Sequence, residues 1–264
     1  MASEMRRVKT PAAGRGGAKP TTIDPAEIAS FGKVAARWWD KEGEFRPLHR
    51  LNPARLAFIR DRLAARFGRN IKTPRPFAGL SLLDIGCGGG IVAEPLARLG
   101  FAVTGIDADR TAIAVARDHA EAAGLEIDYR EAAVEDLARR RLKFDAVLAL
   151  EVVEHVADIG LFLKTASALV RPGGAFIAST INRTPQAFLF AILGAEYVLR
   201  WVPRGTHHWS KFVRPSELAA GLRENGLEVG GIEGLTYDAK SASWRLGGGL
   251  AVNYLLFASK PTEK

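Results

Sequence analysis

A chain of 264 residues with 47% apolar and 25% charged residues has room for one well-filled α/β domain and is cramped for two. Its single cysteine, Cys87, excludes an internal disulfide and a multi-cysteine zinc cluster, and fits a reducing, cytoplasmic setting. Neither an unbroken run of eighteen apolar residues nor the apolar core of a signal peptide occurs, so a membrane span and that route of secretion are not expected.

The net charge of +8 is unevenly spread, because Arg6, Arg7, Lys9, Arg15 and Lys19 against Glu4 place about half of it in the first twenty residues. Residues 1–22 read as a basic disordered tail suited to an anionic membrane surface or to nucleic acid. Asp24-Pro25-Ala26-Glu27 then opens a helix with a cap, a first-turn proline and a capping-box acid, and apolar spacing carries it to about Trp39. A second helix is expected from Asn52-Pro53 to about Phe67, and the two prolines of 72–79 mark a surface connection. Residues 23–79 thus form a helical cap and linker.

From Leu80 strands and helices alternate, with strands expected at 81–85, 102–106, 126–130, 144–150, 174–180, 227–233 and 252–259. Helices fall at 90–99, 110–123, 159–170 and 215–225. The pattern is α/β, a mostly parallel seven-stranded sheet with helices on both faces over residues 80–260. Within it an insertion at 186–212 carries the apolar run Gln186–Pro203, too short to span a bilayer comfortably. It reads equally as an interfacial or lid helix and as a buried helix closing a pocket.

Leu82-Leu83-Asp84-Ile85-Gly86-Cys87-Gly88-Gly89-Gly90-Ile91 is a strand turning through glycines into a helix, the opening of a nucleotide-cradling unit. Ile91 stands where a dinucleotide fold needs its third, close-packing glycine, so a compact adenosyl cofactor fits better than NAD or FAD. Asp107, twenty-three residues after Asp84, is placed to accept ribose hydroxyls, and Asp84 to hold the loop or meet an ammonium group. Ala133 and Val134 follow the third strand and suit an adenine wall, or else start a helix whose first turn holds Glu135 and Asp136. Leu150 ends the fourth strand, facing the crevice where such sheets bind ligands.

Just beyond lie Glu151, Glu154 and His155, at i, i+3 and i+4. On a helix these would share one face, and two carboxylates with an imidazole can hold an octahedral Mg2+-type cation that orients two catechol oxygens. Without metal, His155 could take a phenolic proton while Glu151 or Glu154 orients it. A purely structural role for all three is the remaining reading. His207 is a secondary base or gate candidate, and Trp38, Trp39 and Phe45 suit the cap of an aromatic acceptor or the core.

Leu80–Glu154 resembles the Rossmann-like class I S-adenosylmethionine-dependent methyltransferases, and the flanks narrow this to the ubiquinone-biosynthesis O-methyltransferases. The matching stretches are Ala35-Ala36-Arg37-Trp38-Trp39-Asp40, the run from Gly43 through Phe45-Arg46-Pro47-Leu48-His49-Arg50 to Pro53, Glu151-Val152-Val153-Glu154-His155, Gly194-Ala195-Glu196-Tyr197 and Pro203-Arg204-Gly205-Thr206-His207. The resemblance implies that Arg55, Gly86, Asp107 and Leu150 contact S-adenosylmethionine, Arg55 through the cofactor's carboxylate. The same glycine turn adds Asp84 and Gly88 as cofactor contacts. The resemblance further implies both O-methylations of polyprenylated phenols and catechols. The basic tail and the apolar run at 186–203 suit peripheral contact with anionic lipid on the inner face of the cytoplasmic membrane, and a ubiquinone-biosynthesis enzyme complex is a candidate partner. A soluble-catechol methyltransferase and a non-catalytic cofactor-binding module are the competing readings. A nucleic-acid partner is not expected, since no base-holding Asn-Pro-Pro-Tyr-like tetrad follows the fourth strand.

Overall fold

The computed structural model describes residues 21–32, 34–189, 209–238 and 243–262. The expected basic tail, the core of the 186–212 insertion and His207 therefore lie outside the described residues. The tail's expected boundary is slightly late, because Thr22 is buried and its carbonyl accepts from Ala157 N at 3.0 Å.

The helical cap consists of α1 (Pro25–Gly32), a 3-10 turn (Ala35–Arg37) and α2 (Arg46–Phe67). Helix α2 starts six residues before the expected Asn52, with Pro47 in its first turn and Pro53 inside it. Two prolines in one stretch made the later one look like the start. The internal one is tolerated because burial of Leu51, Ala54, Phe58, Ile59 and Leu63 offsets the lost backbone bond, which costs about 3 kcal/mol.

The remaining elements are β1 (Ser81–Ile85), α3 (Ala93–Arg98), β2 (Ala102–Asp107), α4 (Arg110–Ala122), β3 (Asp128–Glu131), α5 (Val134–Arg139), β4 (Phe144–Leu150) and α6 (Ile159–Leu169). They are followed by β5 (Val170–Ile181), the single turn α7 (Pro185–Ala187), α8 (Pro215–Glu224), β6 (Glu228–Asp238), β7 (Ser243–Leu246) and β8 (Asn253–Ser259). The strands form one sheet in the order β3-β2-β1-β4-β5-β8-β6-β7. Strands β1 to β5 are parallel, whereas β8 runs antiparallel to β5 and β6, and β7 antiparallel to β6. The sheet has eight strands among the described residues, one more than expected, because Ser-Trp-Arg-Leu at β7 is too short to show an alternation.

Strand parity divides the core. Leu82, Val103, Leu148 and Ile177 pack against α2, α3 and α4, while Leu83, Ile106, Val147 and Phe176 pack against α5, α6 and α8. Strand order reverses between β1 and β4, and at that switch point a parallel sheet opens a crevice beyond its carboxyl ends. Residues Gly86, Asp107 and Glu151, each at or just past a strand end, meet there. Among the described residues no helix is long and apolar enough to cross a membrane.

Candidate active site

The crevice is a cavity of about 1040 Å³, walled by the strand ends, the helical cap and the β6–β7 pair. At one end the glycine turn folds back on β2, where Gly86 N and Cys87 N both donate to Ile106 O at 2.8 and 3.0 Å. Gly86 has φ +68°, and a Cβ there would come within 2.5 Å of Val152, so only glycine fits. Asp107 ties the turn down, accepting from Gly88 N and Asp109 N at 2.9 Å each, while Asp109 caps α4 through Thr111 N. Two bonds leave the carboxylate further lone pairs for hydroxyls.

Of the expected cofactor residues, Arg55, Asp84, Gly86, Asp107, Ala133, Val134 and Leu150 line the cavity. Gly88 does not; the indole of Trp38 covers it. Ala133 N is also unavailable to read adenine, because it donates to Asp136 Oδ2 at 3.0 Å as α5 begins. Cys87 is buried, and burial with the charges of Asp107 and Asp84 pushes its thiol well up, which suits a filler.

Unpaired buried polar atoms mark where a ligand belongs. Asp84 Oδ2 and Arg55 Nε and Nη2 have no hydrogen-bond partner, although Arg55 Nη2 lies 3.0 Å from Glu151 Oε1, out of line for a bond. Burial, reinforced by the charge of Asp107 and opposed by Arg55, raises the Asp84 carboxyl to about 7. A buried guanidinium and a buried carboxyl, each with hydrogen-bonding atoms left unsatisfied, suit the carboxylate and ammonium of an amino-acid moiety. The residues present therefore fit S-adenosylmethionine.

The acceptor end differs from the expectation. Glu151, Glu154 and His155 do not sit on a helix. Glu151 has φ +54°, rare for a glutamate, and bends the chain out of β4 into a turn. Each side chain then finds its own partner. Ser179 Oγ donates to Glu151 at 2.6 Å, Thr180 Oγ1 donates to Glu154 at 2.8 Å, and His155 Nδ1 lies 3.0 Å from Glu27 Oε2. Among the described residues no group of three His, Cys, Asp or Glu side chains is placed to hold a metal ion. The cation set expected at Glu151, Glu154 and His155 does not fit this arrangement.

What assembles instead is a dyad. Glu27, on α1, pairs with His155 and also accepts from Lys211 Nζ at 2.8 Å, while Lys211 reaches Asp24 at 3.1 Å. The bond to His155 outweighs burial and holds the Glu27 carboxyl at about 2, with Lys211 helping. Burial pushes the His155 imidazole down, but Glu27, Glu154 and Glu151 together carry it above its ordinary value. Burial, with the charge of Glu151, raises Glu154 to about 7. Glu27, Lys211, Ser179 and Thr180 were not foreseen. Only the acidic first turn of α1 hinted at Glu27, and it read as a cap. Trp38 and Phe45 line the cavity, Trp38 over Gly88, whereas Trp39 turns away, stacking on His119 at 3.4 Å and donating Nε1 to Gly89 O at 2.9 Å.

A methyltransferase-domain family model matches residues 48–230. The ubiquinone biosynthesis O-methyltransferase of Brucella anthropi is 53% identical over 241 residues, covering 91% of this chain and 97% of the relative. That of Paramagnetospirillum magneticum is 54% identical over 239 residues, covering 90% and 96%. Among solved structures, the magnesium protoporphyrin IX methyltransferase of Synechocystis PCC 6803 aligns with a TM-score of 0.60 at 18% identity, over 89% of this chain and 96% of that one. An S-adenosylmethionine-dependent methyltransferase of Clostridium acetobutylicum also gives 0.60, at 12% identity over 88% and 98%; both share the fold. With half its residues identical to full-length relatives, the chain belongs to the ubiquinone biosynthesis O-methyltransferases, within the class I methyltransferase fold.

Proposed function

We propose that the chain transfers methyl groups from S-adenosylmethionine to the phenolic oxygens of polyprenylated phenols and catechols, at both O-methylation steps of ubiquinone biosynthesis. The observation that carries this is one cavity joining a glycine-and-carboxylate cofactor end to an imidazole paired with a carboxylate. When bound, S-adenosylmethionine supplies a methyl group on a positively charged sulfur, open to displacement by oxygen. Arg55 and Asp84 hold its amino-acid end, Asp107 its ribose, and Val134 and Leu150 flank the adenosine.

At the acceptor end His155 removes the phenolic proton. Glu27, facing Nδ1, fixes the ring's tautomer and steadies the imidazolium that forms, and Lys211 and Asp24 hold Glu27 in place. Glu151 and Glu154, fixed by Ser179 and Thr180, shape the wall beside it. No step runs through a divalent cation. Rigorous chelation should leave at least half of the methyl-transfer rate, and loss of activity restored by Mg2+ would contradict this.

A base must be neutral to act, so a raised imidazole pKa means that kcat/KM climbs with pH through a value above 6.5. Glu27→Gln removes the largest upward influence. The acid limb should shift to lower pH while the plateau rate falls, and an unmoved limb would show that Glu27 does not act on the base. To separate prenylated from soluble acceptors, kcat/KM should rise with prenyl length on the same catechol ring. Equal values with and without the prenyl chain would favour the soluble-catechol reading.

The oily acceptor also motivates a peripheral lipid contact. Exposed Phe188, Leu189 and Trp209 flank residues 190–208, and a +8 chain is attracted to anionic headgroups. The protein should co-sediment with vesicles containing phosphatidylglycerol and be released by high salt, whereas no enrichment over phosphatidylcholine vesicles would end this part of the proposal.

A further inference from the structure

We propose that Trp38 and Glu44, on the segment joining α1 to α2, complete the grip on the cofactor's amino-acid end together with Arg55 and Asp84. This rests on the S-adenosylmethionine reading above and adds two residues outside the sheet domain to that site.

Trp38 is seated on the glycine turn. A Cβ at Gly88 would fall 2.4 Å from its six-membered ring and 2.9 Å from Cε2, the carbon bonded to Nε1. The indole stacks on Phe45 with centroids 3.8 Å apart and planes 13° from parallel, and the Trp38 carbonyl accepts from His49 Nε2 at 2.7 Å. The ring is thus held on both sides. Yet Nε1 is buried without a partner, unlike Trp39 Nε1, which donates to Gly89 O. An indole N–H taken out of water nearly always finds an acceptor.

Glu44 shows the same asymmetry. Its Oε1 pairs with Arg37, while Oε2 is buried and unpartnered. With Arg55 Nε and Nη2 and Asp84 Oδ2, four side chains lining one cavity present five orphaned atoms, three donors and two acceptors. That is the complement of an α-amino-acid zwitterion, whose ammonium only donates and whose carboxylate only accepts. The nucleoside end of the cofactor carries no full charge: its hydroxyls donate or accept, adenine's ring nitrogens accept and its amino group donates. Water could satisfy one orphan singly, but donors and acceptors left together on four side chains of one cavity match a dipolar ligand.

The test uses a pair of ligands that differ only at that end. S-adenosylhomocysteine carries the amino-acid group, and 5′-methylthioadenosine keeps the adenosine and sulfur without it. Calorimetry on the full chain should find Trp38→Phe, which keeps the ring and loses the N–H, binding S-adenosylhomocysteine about tenfold more weakly. Glu44→Gln should show a similar loss. Affinity for 5′-methylthioadenosine should stay within about twofold in both, with thermal unfolding alongside to show that each variant is folded. Equal weakening of the two ligands would reduce Trp38 to a packing role, and no weakening of either would overturn the inference outright. If the unaltered protein bound neither ligand, the cofactor reading itself would fall with it.

Discussion

Replacing His155 by alanine should lower kcat for methyl transfer by about 10²–10⁴-fold, the range that a positioned general base contributes. S-adenosylhomocysteine affinity should change little, since His155 pairs with Glu27 rather than with any residue assigned to the cofactor. The acid limb of the pH profile should disappear together with the rate. Glu27 keeps its Lys211 contact in this variant, so its side chain retains one of its two partners, and Asp24 stays paired with Lys211. Single-turnover transfer from labelled S-adenosylmethionine reads the chemical step directly. A rate within tenfold of the unaltered protein, with the limb in place, would assign the proton to another group.

Asp107→Ala should weaken S-adenosylhomocysteine binding by about a hundredfold or more. One carboxylate does two jobs in this fold. It clamps the glycine turn through Gly88 N and helix α4 through Asp109 N, and in the proposed cofactor site its remaining lone pairs would accept from the ribose hydroxyls. Hydrogen bonds to a charged group contribute about 1.5–3 kcal/mol each, so losing two reaches this magnitude before any loosening of the turn. Burial raises the Asp107 carboxyl, while the backbone N–H groups of Asp109 and Gly88 pull it back, so the site holds a carboxylate that is costly to desolvate and well partnered. Calorimetry settles the matter; a loss under fivefold would place the ribose elsewhere.

The parallel half of the sheet was legible because Leu82-Leu83, Val103 and the Phe144–Leu150 run are short apolar strands bounded by turn signals, and the glycine turn follows the first of them. Helix α5 stood only as one of two readings of Ala133-Val134, because Val134–Arg139 spans too few residues for a period to show. The shared helical face considered for Glu151, Glu154 and His155 failed on a single residue. A spacing of three and four residues is only a face if the backbone is helical, and Glu151 at φ +54° is not. His155 was legible as a candidate in the sequence, whereas its partner was not. Glu27 lies 128 residues away, and nothing in either segment marks the pairing. Ser179 and Thr180 read as strand residues because their hydroxyls matter only once β5 lies beside β4. The orphaned N–H of Trp38 is likewise a property of packing, visible only when Gly88 is found beneath it.

The account stands most directly on product formation by the purified chain. Given labelled S-adenosylmethionine with short-prenyl analogues of 2-polyprenyl-6-hydroxyphenol and demethylubiquinol, it should yield a labelled methyl ether on both, identified by mass spectrometry. Tight S-adenosylhomocysteine binding with no methyl ether on either acceptor would contradict it.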